Sequence, residues 1–271
     1  MKISISNIAW PISEEKYIFS VLRKNSIFNI DIALSKYFSD IMKVDDDDCL
    51  SLKNYFSNEE INLVGMQSLL YGMSNYNIFN SEEERIFLLK YLRKTFYIAN
   101  KLNIRKLVFG SAKNRNKPTK VNFNLDDIII DFFRDLGNYA KTFNVDVCLE
   151  PQPKRYNSNF LTNSKETFEY IKKINHENIK MQLDTGSMIV NQESPDLIKR
   201  FKDYYGHIHI SEPDLKPLTK VSDMHKLFSK QIKTNLYEFP ITIEMLLNKK
   251  TNFDEDIKKI ISTVRSIYFI Q

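Results

Sequence analysis

The sequence predicts a single α/β domain, a (β/α)₈ barrel spanning residues 1–271. Two observations point there. Strand-like and helix-like segments alternate from one end of the chain to the other, the pattern of a parallel sheet with crossover helices. Four acidic or imidazole residues also close four consecutive strand-like runs. These are Glu150, Asp184, His209 and Glu244, spaced 34, 25 and 35 residues apart. A barrel of roughly 250 residues repeats about every 30 residues, so the four side chains read as successive rungs at one mouth.

The eight candidate strands are 2–9, 29–34, 61–68, 105–110, 145–150, 179–184, 206–211 and 240–245. A candidate helix follows each. The clearest begins at Ser81, an N-cap residue followed by Glu82, Glu83 and Glu84, acids that suit a helix N-terminus. Its apolar positions are Ile86, Leu89, Tyr91, Leu92, Ile98 and Leu102. Another begins at Asn163-Ser164-Lys165-Glu166 and carries Phe168, Ile171 and Ile174. A third begins near Ser222-Asp223 and carries Leu227, Phe228 and Ile232, and the last runs from about Asp254 to Ile267. The run Asp45-Asp46-Asp47-Asp48 reads as an exposed loop before a short helix around 50–57. It lacks the spaced ligands and central glycine of a calcium loop.

Hydrophobic residues make up 42% of the chain, enough for a sizeable core, and charged residues 27%. No stretch approaches the roughly 20 apolar residues of a membrane span, so no membrane partner is expected. The chain opens on a strand pattern, Lys2 to Trp10, rather than a basic segment and an apolar one, so no secretory signal is expected. Cys49 and Cys148 are the two cysteines. One follows an acidic run and the other sits in a buried strand pattern, which argues against a disulfide and for a cytoplasmic location. The net charge of +5 comes from Lys and Arg scattered among Asp and Glu. A nucleic-acid partner would want them clustered, so none is expected. No glycine-rich phosphate loop occurs, which disfavours a nucleotide cofactor.

Side chains at the C-terminal ends of barrel strands point into the active site. Burying a carboxylate without a partner is costly. Strands ending Cys148-Leu149-Glu150 and Thr242-Ile243-Glu244 therefore need a compensating cation. For a single acid a basic side chain would serve. For four such groups on successive rungs, one divalent metal is the simpler reading: three carboxylates and an imidazole suit Mn²⁺, Mg²⁺, Co²⁺ or Zn²⁺.

The rungs Leu149-Glu150-Pro151, Leu183-Asp184-Thr185-Gly186, His209-Ile210-Ser211-Glu212 and Ile243-Glu244-Met245 resemble those of the xylose-isomerase-like TIM-barrel superfamily, the sugar phosphate isomerase/epimerase family. The resemblance extends over essentially the whole chain and includes Ser6-Asn7-Ile8-Ala9-Trp10, Met66-Gln67-Ser68 and Val108 to Arg115. It implies one divalent metal on Glu150, Asp184, His209 and Glu244. It also implies catalysis by Glu150 and Glu244 as acid/base partners on opposite faces of a bound ketose, by proton transfer through an enediolate. The expected activity is that of a metal-dependent sugar or sugar-phosphate isomerase or epimerase in carbohydrate metabolism. Related barrels form dimers or tetramers, so a homo-oligomer is admissible, though no interface is readable.

Two positions depart from the epimerases of this group. Ser187 stands where they usually carry a substrate-contacting His, and Leu215 and Lys216 where they often carry an Arg. Other cations could replace them. Lys113 and Arg115 leave the fourth strand, Lys154 and Arg155 the fifth, and Lys216 the seventh. Such a rim would suit a phosphate or carboxylate on a carbohydrate substrate. Trp10 could wall the sugar carbons or pack in the core. Gln67, Tyr156 and Asn159 could donate hydrogen bonds to hydroxyls. His207 shares a strand face with His209 and reads as a hydrogen-bonded barrel-interior residue. His225 reads as a helix N-terminal residue and His176 as a solvated loop residue. Other readings of the same ligands are a metal-dependent dehydratase of a keto-polyol, an endonuclease-IV-like phosphodiesterase and a non-catalytic sugar-binding barrel. A trinuclear phosphodiesterase site draws on extra histidines, and this chain has four, none before His176.

Overall fold

Eight short apolar runs become eight parallel strands. In the computed structural model, which describes residues 2–119, 124–247 and 252–269, they are β1 (Ile3–Ser6), β2 (Asn29–Ala33), β3 (Asn62–Gln67), β4 (Lys106–Phe109), β5 (Asp146–Leu149), β6 (Ile179–Asp184), β7 (Tyr205–Ile210) and β8 (Ile241–Ile243). They pair in sequence order and close into a barrel. The closing seam pairs Ile3, Ser4 and Ile5 of β1 with Ile241, Thr242 and Ile243 of β8. The expected first strand is shortened: beyond Ser6 the chain turns through a 3₁₀ segment, Asn7–Ala9, whose entry the Ser6 hydroxyl caps.

The helices outside the barrel are α1 (Glu15–Lys24), α2 (Asp46–Asn58), α3 (Glu82–Lys101), α4 (Leu125–Thr142), α5 (Ser164–Ile174), α6 (Thr185–Val190), α7 (Asp196–Arg200), α8 (Met224–Asn235) and α9 (Phe253–Tyr268). The caps are those expected: Ser81 accepts from Glu84 N–H at 3.2 Å and Asn163 from Glu166 N–H at 2.9 Å. The helices bury one stripe each. On α9 it is Ile257, Ile260, Ile261, Val264 and Tyr268, a 3–4 spacing that lays one face against the sheet. Phe133 of α4 meets Phe109 of β4 edge-on at 5.6 Å. Each such fully buried side chain contributes about 1.5–3 kcal/mol.

The structure corrects two readings at this level. The acidic run is not a loop. Asp45 is the N-cap and Asp46–Asp48 form the first turn of α2, where Asp45 and Asp48 complete a reciprocal capping box that satisfies two orphan N–H groups. Ile86 and Leu227 lie on the solvent side of their helices, exposed, while Phe228 and Ile232 are buried. Cys49 and Cys148 are free and buried. No described helix is long and apolar enough to cross a membrane.

Candidate active site

The four rungs meet. Asp184 ends β6 and Glu150 and Glu244 directly follow β5 and β8, while His209 is the penultimate residue of β7. Asp184 and His209 are register partners on adjacent strands. One ligand-type atom from each of Glu150, Asp184, His209 and Glu244 lies within 4.8 Å of all the others, and all four residues are buried. His209 Nδ1 stands 3.4 Å from Glu150 Oε1 and 3.3 Å from Glu244 Oε2.

Each acid is held by hydrogen bonds from its neighbours. Asp184 caps α6: Oδ1 accepts from Ser187 N–H at 2.6 Å and Oδ2 from the Ser211 hydroxyl at 2.6 Å. Glu244 Oε1 accepts from the Gln67 amide at 2.7 Å, and Glu150 Oε2 from the Gln152 amide at 2.6 Å. Glu150 Oε1 is buried without a hydrogen-bond partner. The space for Glu150 is made by Gly110, where a Cβ would fall 2.2 Å from Oε2.

The electrostatics call for a cation. Burial, then the charges of Glu150 and Glu244, push the Asp184 carboxyl up to about 7. Burial opposes charge on His209 too, but the Glu244 charge, the bond to Asp31 and the nearby Glu150 carboxylate hold its imidazole well above its usual value. Burial likewise works against the Glu244 carboxylate, and the His209 charge and the bonds from His209 and Gln67 outweigh it, leaving the group below its usual value. Three carboxylates thus share one imidazole and an unpartnered oxygen. That is the donor set of a divalent metal with mixed oxygen and nitrogen ligands; Glu150, Asp184, His209 and Glu244 fit such an ion.

Two cavities open above this cluster. One, about 320 Å³, is lined by Gln152, Tyr156, Ser187, Glu212, Asp214 and Leu215 as well as the three acids. The other, about 260 Å³, is lined by Gln67, Ser68, Tyr71, Val108 and Ser111. Glu150 and Glu244 line both. Among the described residues no Lys or Arg lines either cavity.

The expected basic rim is therefore not assembled as read. Lys113 and Lys216 are exposed and line neither cavity. Arg115 is completely buried. Its guanidinium donates to Phe109 O at 3.0 Å and Glu150 O at 2.6 Å, so it braces the main chain beneath Glu150. Burial pushes it down to about 10. Arg155 pairs with Asp214 at 2.8 Å, and Lys154 is exposed. Trp10 is a core residue: its indole N–H donates to buried Glu15 at 3.3 Å and its ring meets Phe19 edge-on. Gln67, Tyr156 and Ser187 do face the mouth. Asn159 instead ties the β5 loop to Lys117.

The remaining histidines are placed more fully than sequence allowed. His207 is buried inside the barrel. His225 is buried at the start of α8, with Nδ1 2.7 Å from the Tyr268 hydroxyl. Its Nε2 is 3.2 Å from Glu212 Oε1, within ion-pair reach but off a hydrogen-bond line. His176 packs over Gly137. Asp31 was missed. It lies on β2 with no exposure, its Oδ2 3.0 Å from His207 Nε2 and 3.3 Å from His209 Nε2. The signal was an acid in the middle of Ile30-Asp31-Ile32, an apolar run that should not carry a charge unpaired.

Fold and site together define a (β/α)₈ barrel with a carboxylate–imidazole centre at its C-terminal mouth. The chain belongs to the Xylose isomerase-like TIM barrel family, whose model matches residues 31–264. A stretch of 88 residues is 28% identical to D-psicose 3-epimerase of Ruminiclostridium cellulolyticum, covering 32% of this chain and 30% of that relative's length. The fold superposes on D-psicose 3-epimerase from Clostridium cellulolyticum H10, solved with D-tagatose, with a TM-score of 0.77 over 99% of both chains at 17% identity. It also superposes on the IOLI protein, solved with a zinc atom, with a TM-score of 0.73 over 99% of this chain and 98% of that one at 15% identity.

Proposed function

We propose that residues 1–271 form one catalytic unit, a divalent-metal-dependent epimerase or isomerase of a ketose, with Glu150 and Glu244 as its acid/base pair. The convergence of three buried carboxylates and His209 carries this reading. Glu150, Asp184, His209 and Glu244 would hold the metal. Bound there, the ion would polarise a carbonyl and its neighbouring hydroxyl and offset the charge of an enediolate. The chain supplies the rest. Glu150 and Glu244 border both cavities, so a sugar spanning them would present a carbon between the two carboxylates. One removes the C–H proton and the other returns a proton to the opposite face. Such positioned transfer contributes about 10²–10⁴-fold. Gln67 and Gln152 each anchor one oxygen of a catalytic glutamate and so aim the other.

Tyr156 and Ser187 are the proposed contacts to substrate hydroxyls, both lining the larger cavity. The absence of Lys and Arg from the described lining favours an uncharged sugar over a phosphorylated one, in line with the D-tagatose bound by the structural neighbour.

The test is turnover of ketohexoses and ketopentoses in D₂O with Mn²⁺, followed by NMR. Solvent deuterium should enter at the inverted or isomerised carbon, and Glu150→Gln or Glu244→Gln should abolish that exchange. Full retention of the substrate hydrogen would mean a hydride shift. No turnover of any ketose or polyol by the metal-loaded protein would leave the non-catalytic barrel.

A further inference from the structure

His209 carries two nitrogens, and only one can face the metal. We propose that Asp31 is the positioning carboxylate of this centre, which locks His209 with its proton on Nε2 and its Nδ1 lone pair turned toward Glu150, Asp184 and Glu244. The inference rests on the metal reading above and adds to it a residue from a strand that supplies no ligand.

The geometry behind it is specific. His209 Nε2 is hydrogen-bonded to Asp31 Oδ2 at 3.3 Å. Asp31 already accepts from two hydroxyls at Oδ1 and is approached by two ring nitrogens at Oδ2, so it is the acceptor and Nε2 the donor of this bond. The opposite ring edge then offers Nδ1 to Glu150 Oε1 and Glu244 Oε2 at 3.4 and 3.3 Å, where the ligand oxygens cluster. Asp31 is itself fixed from the other side. Its Oδ1 accepts from the Thr242 hydroxyl at 3.1 Å and the Ser4 hydroxyl at 3.5 Å, across the β8–β1–β2 side of the barrel. The neighbouring strand gives up a side chain for it: a Cβ on Gly65 of β3 would fall 2.5 Å from Oδ2.

His207 completes the support. Its Nε2 lies 3.0 Å from the same Oδ2, and its Nδ1 3.2 Å from the Gln182 amide. Asp31, His207 and His209 could be taken for a second ligand set. The arrangement argues otherwise, because Oδ1 is engaged by Thr242 and Ser4 and both imidazoles converge on the one remaining oxygen. Carboxylates behind metal-bound imidazoles set the tautomer and ring angle, and their loss typically weakens metal affinity 10–100-fold.

The test uses the full chain and Zn²⁺, which is diamagnetic. In the wild-type Zn²⁺ form, ¹⁵N NMR of the imidazoles should show His209 with a slowly exchanging proton on Nε2 and Nδ1 bound to metal. Competition with a chromophoric chelator should show Asp31→Asn weakened 10–100-fold for Zn²⁺. Thr242→Val removes a bond to Asp31 Oδ1 but keeps the His209 contact, and should stay near the wild-type affinity. A proton on Nδ1, an unchanged affinity in Asp31→Asn, or an equal loss in Thr242→Val would each overturn the proposal while leaving the metal site standing. If Asp31→Asn does not fold, the wild-type spectrum decides. If the wild type takes up no Zn²⁺, Mn²⁺, Co²⁺ or Mg²⁺, the metal reading fails and this one with it.

Discussion

Arg115 shows how depth decides a residue's role. In sequence it follows the fourth strand between Lys113 and Lys117 and reads as one of five cations at a rim. In the fold it turns inward, covers the Phe109 ring and ties the ends of β4 and β5 together through two main-chain carbonyls. Residue type and position were legible, but direction was not, because a five-donor fork can satisfy buried carbonyls as well as a substrate. The expected consequence is one of stability. Arg115→Ala leaves the Glu150 carbonyl without this donor and takes one of two donors from Phe109 O, and should cost about 2–5 kcal/mol by urea unfolding. Arg115→Lys should recover little, since one ammonium does not reproduce the fork. Wild-type unfolding midpoints in both would return Arg115 to the substrate rim. Asp31 makes the complementary point: a lone acid in a strand could be seen, but its partners His207 and His209 lie more than 170 residues away along the chain.

At the scale of elements, the loops after β5 and β7 are joined above the larger cavity. Arg155 Nη2 donates to both oxygens of Asp214 at 3.1 and 2.8 Å, and Asp214 N–H donates to the Tyr156 hydroxyl at 2.9 Å. Asp214 and Leu215 both take left-handed backbone, with φ of 62° and 53°. For Leu in particular that conformation costs on the order of 1 kcal/mol, and the clasp holds it. Asp214→Ala should loosen the wall formed by Tyr156 and Leu215. The pair is largely exposed, so the effect is modest. KM for the proposed ketose substrate should rise by up to about 5-fold with kcat little changed, and 0.5 M NaCl should shift the wild type the same way. A kcat loss with unaltered KM would mean that the clasp acts on the chemistry instead. None of this was readable beforehand. Whether Arg155 meets a substrate or Asp214 depends on two loops whose approach only the closed barrel defines. The acidic run of α2 errs the other way. Its capping box was present in the letters, but four adjacent acids look like a solvated loop until the first of them is seen outside the helix and the next three inside it.

For the whole molecule, the four candidate ligands come from β5, β6, β7 and β8, and Glu244 is braced by Gln67 of β3. An ion bound there exists only on the folded barrel, so saturating Mn²⁺ should raise the unfolding free energy by about 2.7 kcal/mol at 100 times Kd. Asp184→Asn should remove most of that gain. The effect should also depend on pH. With burial and two neighbouring acids pushing Asp184 up to about 7, metal-free protein at pH 5 holds a proton there that the metal must displace. Affinity should therefore fall as pH drops below about 7, near tenfold per unit for each proton released, and the proton held on His209 extends the dependence to higher pH. Calorimetry in two buffers of different ionisation enthalpy would count the protons; flat affinity from pH 5 to 8 would contradict the site. The sequence by itself determined the barrel and its rungs. Local periodicity makes strands and helices, and the βα repeat then places Glu150, Asp184, His209 and Glu244 at one end without knowledge of any contact. Tertiary structure alone decided the surroundings: which cations face the mouth, which acid stands behind His209, and which amides aim the two glutamates. Those are set by side-chain direction and by contacts between residues far apart in the chain, and no spacing of letters encodes them.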